Sequence, residues 1–388
     1  METAQIEISI DGDPTRTIAA EFIAVPFGRG APIGRTEDGT LYAGFSSEGP
    51  GLESVLLKSV DGGKTWSEKR LDWWTFFDQS LELDSPRFHF WDYRWAMRND
   101  SFGVLADGTL LWAFQQTALP FEVDPLEMES YVIRSPDQGE TWEGPVVVDK
   151  APFSTVGNAS NRMTELADGT VLWPQRFSLS DAELQHMTAE SKKSGRPPEA
   201  SVLATSYVLR STDGGRTWGE RTPLPDWSFE TTLLRLRSAK LIAAIRYQPL
   251  VDLDIPLAKL SKRLFLADST DHGRTWVDFR PLRQAPDGPA DVEMGECHGE
   301  LSELSDGTLV ATHDRRYPRA RARLLARISH DQGQTWTPEV YNLTLPGGTV
   351  MGSSRRGYGT GYASSVVLED DTIVTMTGAG TCVRWRVA

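Results

Sequence analysis

Ser59-Val-Asp-Gly-Gly-Lys-Thr-Trp66 decides how this chain is read, because its pattern S-x-D-x-G-x-T-W returns at residues 135–142, 211–218, 269–276 and 329–336. The five copies begin 76, 76, 58 and 60 residues apart. A phrase repeated at such intervals marks one structural unit used several times. Each residue type has a local task. The Asp accepts hydrogen bonds from the backbone of its own turn, the second-half Gly adopts a left-handed conformation, and the Trp offers a large apolar face between strands. The spacing does not match a D-x-[DN]-x-[DN]-G calcium loop, so the phrase reads as structural.

A second phrase keeps step with it. Asp-Gly-Thr between apolar runs occurs at Asp38, Asp107, Asp168 and Asp306, with degraded copies at Ser238-Ala-Lys and Asp370-Asp-Thr. Asp-Gly between apolar segments is a hairpin signal. Six copies therefore predict six units of strand, D-G-T turn, strand, strand, octapeptide turn, strand. The expected fold is all-β, a six-bladed β-propeller with four-stranded antiparallel blades, in one domain over residues 1–388. Residues 6–10 are expected to pair with the last blade, because an open ring would expose two strand edges. Two insertions interrupt the rhythm, at about 67–98, rich in aromatics, and at about 174–203, where Ser180-Asp-Ala-Glu183 resembles a capping box before a short helix.

Composition narrows the function. The chain has 388 residues, 39% hydrophobic, with a net charge of -14. An acidic chain argues against a nucleic-acid partner. No apolar run is long enough to span a membrane. The N-terminal stretch lacks the basic and apolar segments of a signal peptide, so the expectation is cytoplasmic as given, or secreted if a leader has been removed. Two cysteines, Cys297 and Cys382, form no metal pattern and read as buried small hydrophobes. No metal or cofactor is expected, and oligomeric state is not readable.

In a ring of repeats, equivalent positions gather around the axis. About eight to ten residues before each D-G-T turn stand Arg29, Arg98 with Asn99 and Asp100, Asn158, Glu230, Glu296 with His298, and Tyr362. Arg246, Arg315 and Arg316 close the following strands. Core strands are normally apolar, so charged residues at one repeat offset need an explanation. They either line a wet channel through salt bridges or form a site.

These boxes and this order of residues resemble the sialidase (neuraminidase) superfamily of BNR/Asp-box propellers over essentially the whole chain. Arg29 lies ten residues before Gly39, as in the family's Arg-Ile-Pro motif, with Ile-Pro altered here to Gly-Ala-Pro. Glu230 and Arg246 match its Glu–Arg pair, Arg315 or Arg316 its next arginine, and Tyr362 its tyrosine before the last turn. Glu296, 19 residues before Arg315, offers a rival Glu–Arg pair. The resemblance implies that three arginines clamp a substrate carboxylate. It implies Tyr362 as nucleophile, Glu230 as its base, and an acidic glycan or small sugar as substrate. Glu296, His298, Arg98 and Asp100 would line the pocket.

Two departures stand out. The family carries an acid/base Asp in the first unit, whereas residues 41–59 hold only Glu48 and Glu53 among acids. Glu48 is the expected substitute, with Asp78, Asp92 or Asp100 as alternatives. The Glu that supports the first arginine is missing from residues 373–378. Three readings follow: an exo-glycosidase of terminal acidic sugars, a uronate-active propeller lyase or hydrolase using Tyr362 and His298, and a carbohydrate-binding propeller without catalysis.

Overall fold

The computed structural model describes residues 3–10, 13–25, 32–46, 53–72, 95–118, 129–157, 161–178, 204–248, 262–282, 296–315, 323–344, 362–377 and 381–388. Every regular element among them is a β-strand. An N-terminal hairpin, β1 (Thr3–Ile10) and β2 (Asp13–Ala24), precedes six strand groups. The first is β3 (Ile33–Arg35), β4 (Leu41–Ser46), β5 (Glu53–Ser59) and β6 (Ser67–Asp72). The second is β7 (Trp95–Val104), β8 (Leu110–Ala118), β9 (Glu129–Ser135) and β10 (Glu143–Val147). The third has short pieces, β11 (Thr155–Val156), β12 (Asn161–Arg162) and β13 (Thr164–Glu165), before β14 (Val171–Ser178), β15 (Ala204–Ser211) and β16 (Gly219–Pro223). The fourth is β17 (Ser228–Arg235), β18 (Leu241–Tyr247), β19 (Arg263–Ser269) and β20 (Val277–Pro281). The fifth is β21 (Glu296–Glu303), β22 (Leu309–Arg315), β23 (Arg323–Ser329) and β24 (Tyr341–Asn342), and the sixth β25 (Ser364–Val367), β26 (Ile373–Thr377) and β27 (Thr381–Trp385).

Four expectations need correction. Among the described residues the strands form five hydrogen-bonded sheets of four to nine strands, and hydrogen bonding does not close them into one ring. Pairing is not wholly antiparallel, since β12 runs parallel to β7. The N-terminal segment closes the chain differently from expectation. It is β2 that pairs with the last strand, Glu21 opposite Arg384 and Ala24 opposite Thr381, while β1 meets the fifth group through Ser9–Asn342 and Ile10–Tyr341. A hairpin gives both strands edges to offer, so one segment covers two open edges and joins two groups into the nine-stranded sheet. The insertions are also narrower than read, because residues 67–72, 95–98 and 174–178 belong to β6, β7 and β14. The aromatic run at 73–94 and the capping box at 180–183 lie outside the described residues.

Both repeated phrases fold as turns. In the octapeptide, Ser59 Oγ accepts the Gly63 N–H at 2.9 Å, while Asp61 accepts the Thr65 N–H at 2.9 Å and its hydroxyl at 2.6 Å. The other four copies repeat these bonds within about 0.2 Å. The six D-G-T turns share one backbone loop, in which residue Leu105 donates to Thr109 at 2.9 Å and Gly108 back to Leu105 at 2.9 Å. The degraded copies keep it: Leu236 and Leu368 make the equivalent bonds, and Ala239 and Asp371 take the glycine's place with φ of 67° and 62°.

Neighbouring groups are latched. A basic side chain of one group donates to a carbonyl in the octapeptide turn of the next: Lys69 to Gly139, Arg134 to Gly214, Arg210 to His272, Arg280 to Gly333 and Arg384 to Gly62. The last of these runs from the sixth group to the first. Six apolar clusters fill the spaces between consecutive groups, and one joins Ile33, Leu41 and Phe45 of the first to Val374 and Met376 of the sixth. Cys382 lies in that cluster, and burial pushes its thiol up to about 12. Cys297 is buried as well, as the sequence suggested for both.

Candidate active site

The first strands of consecutive groups pack on one another, with β17 against β21, β21 against β25 and β25 against β3. Their starting residues therefore come together from distant parts of the chain. Tyr362 lies two residues before β25 and is 8% exposed. Its hydroxyl donates to Glu230 Oε1 at 3.0 Å, across 132 residues of sequence. The other carboxylate oxygen of Glu230 accepts from Arg246 Nη1 at 2.6 Å, and Arg246 Nη2 donates to Gln248 Oε1 at 2.9 Å. The His298 ring lies against the tyrosine, with centroids 5.3 Å apart and planes tilted by 56°. Glu230 and His298 are both buried.

Local backbone irregularities aim these groups. The β17–β18 register slips between Ser228 and Thr231, and the β21–β22 register slips between Cys297 and Gly299. Glu230 and His298 thus sit in bulges, which redirect a side chain out of the strand's alternation. A third slip lies between Asn99 and Ser101, at Asp100 of β7. Tyr362 has φ of 67°. A left-handed conformation costs an ordinary L-residue about 1–2 kcal/mol, so its surroundings must impose it. The Tyr362 N–H donates to Asp314 Oδ2 at 3.2 Å.

Of the residues picked from sequence, Tyr362, Glu230, Arg246 and His298 converge. Glu296 opens β21 directly across from Arg315 at the end of β22. Arg98 and Asp100 lie on β7, where only the backbone is described. Arg29, Glu48, Asn158 and Arg316 fall outside the described residues, as do Asp78 and Asp92. No group of three or more metal-ligating side chains occurs among the described residues.

Sequence reading missed three features. Gln248 orients Arg246 from two residues on. Asp314 is fully buried and reaches Tyr362 from the neighbouring group. Its signal was a run of polar residues, His313 and Asp314, closing a strand that begins apolar, masked by the adjacent Arg315. Behind the site, Arg162 Nε and Glu300 Oε1 pair at 2.7 Å. Arg162 also donates to the Ser365 carbonyl at 2.9 Å and the Leu301 carbonyl at 3.4 Å, crossing from the third group to the sixth and fifth. Burial holds the Glu300 carboxyl above the usual range, with Arg162 opposing.

An all-β chain with repeated Asp-centred turns and a tyrosine–carboxylate–arginine cluster is thereby defined. It belongs to the BNR repeat-like domain family, whose model matches residues 83–374. The chain is 28% identical over 278 residues to a sialidase of Micromonospora viridifaciens, covering 68% of this chain. It spans 39% of the length of that curated relative. The Hadza microbial sialidase Hz136 superposes with a TM-score of 0.62 at 15% identity, covering 94% of this chain and 66% of the other. An α-L-arabinofuranosidase of Fusarium graminearum, solved with arabinobiose, superposes with a TM-score of 0.52 at 15% identity over 93% of both chains. These structural likenesses extend to the fold.

Proposed function

We propose that this chain is a sialidase-like exo-glycosidase acting on a terminal carboxylate-bearing sugar, built as a single six-bladed propeller. The observation that carries the reading is the 3.0 Å hydrogen bond from the Tyr362 hydroxyl to Glu230. The closed succession of inter-group clusters and the Arg384–Gly62 latch support the propeller.

Tyr362 is the nucleophile. As its oxygen forms a bond to the anomeric carbon, its proton passes to Glu230, already within hydrogen-bond reach. A neutral phenol suits an anomeric carbon that bears a carboxylate, because an anionic nucleophile would be repelled there. Arg246 places positive charge beside Glu230 and, with Arg29 and Arg315 or Arg316, clamps the substrate carboxylate. Glu296, His298, Arg98 and Asp100 line the pocket. Glu48 is proposed to protonate the leaving oxygen, and water then opens the tyrosyl intermediate.

A direct test is release of free sialic acid from a fluorogenic sialoside. Wild-type turnover that Tyr362→Phe lowers by about 10³-fold or more sustains the reading, on the scale of losing a nucleophile's activated group. Full activity in that variant removes Tyr362 from the mechanism. The contact between His298 and Tyr362 favours a second reading, β-elimination of a uronate, with the two residues as base and acid. Its product carries a new double bond and absorbs in the ultraviolet, so uronate polymers in place of the sialoside separate the two.

A further inference from the structure

We propose that Asp314 is a positioning residue for Tyr362. It holds the backbone of residue 362 in the conformation that directs the phenol to Glu230, and the proposal rests on the glycosidase reading above. Among the described residues, nine other than glycine have positive φ. Gln138, His272 and Gln332 occupy the fourth position of an octapeptide turn, and Ala239 and Asp371 the glycine position of a D-G-T turn. The repeated turn geometry explains all five. Tyr362 belongs to neither phrase, so its left-handed backbone needs a reason of its own.

That reason is local. The Tyr362 N–H is bound by the carboxylate of Asp314, a side chain with no exposure that comes from the end of β22, 48 residues away. A charged acceptor on a buried N–H is a strong, directional constraint. Beyond Tyr362 the chain is fixed separately: Ser364 accepts the Ile33 N–H at 3.1 Å and the Ser365 carbonyl is held by Arg162. β25 therefore stays in place whether or not Asp314 is present. The freedom that Asp314 removes is that of residue 362 ahead of the anchored strand. With its amide released, Tyr362 can turn about the bonds that link it to Ser364, which carries the phenol away from Glu230.

The experiment compares Asp314→Ala and Asp314→Asn with wild type. The alanine removes the acceptor, while the asparagine keeps an oxygen at the same reach. In sialoside hydrolysis, Asp314→Ala is expected to lower kcat by about 100-fold, the scale of a displaced reacting group. KM should change little, because ground-state binding is untouched. Asp314→Asn is expected to recover most of the rate, which a general packing defect would not allow. Wild-type kcat in Asp314→Ala overturns the proposal, as does a loss in KM alone. Should the alanine variant not fold, Asp314→Ser, too short to reach the Tyr362 amide, carries the same expectation. If wild type does not turn over sialosides, the reading of the reaction fails but the role of Asp314 remains decidable. The near-ultraviolet circular dichroism of Tyr362, isolated by difference against Tyr362→Phe, must then change in Asp314→Ala. An unchanged signal overturns the proposal on its own.

Discussion

The octapeptide turns and the Tyr362 cluster are both built from repeat positions, yet they use repetition in opposite ways. At the turns, five copies make the same hydrogen bonds with the same residue types, Ser to Gly and Asp to Thr. Around Tyr362, equivalent strand starts carry different residues: Glu230, His298 and the tyrosine itself. Identity under repetition signals a shared structural task. Divergence at a shared position signals a division of labour that one repeat could not perform alone. The turns also bond locally or to the adjacent group, whereas the Tyr362–Glu230 bond joins residues 132 apart.

Substitutions can break this contrast. The largest effect is expected from Tyr362→Phe, with near-complete loss of activity and a thermal midpoint close to wild type. Strong destabilisation by that change would move Tyr362 to the structural side. Gly215→Ala should do the reverse. Its φ is 89°, and a Cβ there would lie 2.4 Å from Leu111 of the preceding group. A cost of about 1–3 kcal/mol in chemical denaturation is expected, with kcat per folded molecule unchanged.

Arg134→Met sharpens the role of the latches. It loses the bond to the Gly214 carbonyl at 2.9 Å and the Glu143 ion pair at 3.0 Å. About 1–2 kcal/mol should go, again without touching kcat. A neutral result would make the latch row incidental to the packing beneath it.

Acid provides a further test. The Thr141 hydroxyl, then the Thr141 N–H, lower the Asp137 carboxyl from 3.8 to about 2. A depressed carboxylate contributes stability above its unfolded value, and that stability is lost as pH falls through the folded one. The midpoint difference between wild type and Thr141→Val should therefore hold steady near neutrality and shrink between about pH 4 and 2. A difference that is flat across this window would detach the bond from the titration. The smallest effect is expected at Ala239, whose φ is 67°. Ala239→Gly relieves the left-handed strain and should stabilise by about 0.5–1 kcal/mol, after the added freedom of glycine in the unfolded chain. Destabilisation would show that the degraded turn is held by its side chain.

Much of this was legible beforehand because its physics is local. The turns are fixed by bonds spanning two to four residues, so S-x-D-x-G-x-T-W and D-G-T carried them in full, down to the degraded copies at 238 and 370. The offset before each turn also pointed to Glu230, His298 and Tyr362, since a repeat converts sequence position into spatial position. The latches were not legible. Arg134 and Arg210 each stand just before an octapeptide, but Lys69, Arg280 and Arg384 share no such position, and the acceptors are backbone carbonyls, which every residue possesses.

By itself, then, the sequence determined the all-β class, the two repeated turns and the polar residues set apart ahead of the D-G-T turns. Tertiary structure alone decided which of these touch. Tyr362 meets Glu230 because β21 packs against both β17 and β25, and no spacing encodes that distance. It decided that β2, rather than β1, completes the last group, because both hairpin edges compete for partners and only packing ranks them. It also decided that the Asp314 carboxylate reaches the Tyr362 N–H, across 48 residues of sequence.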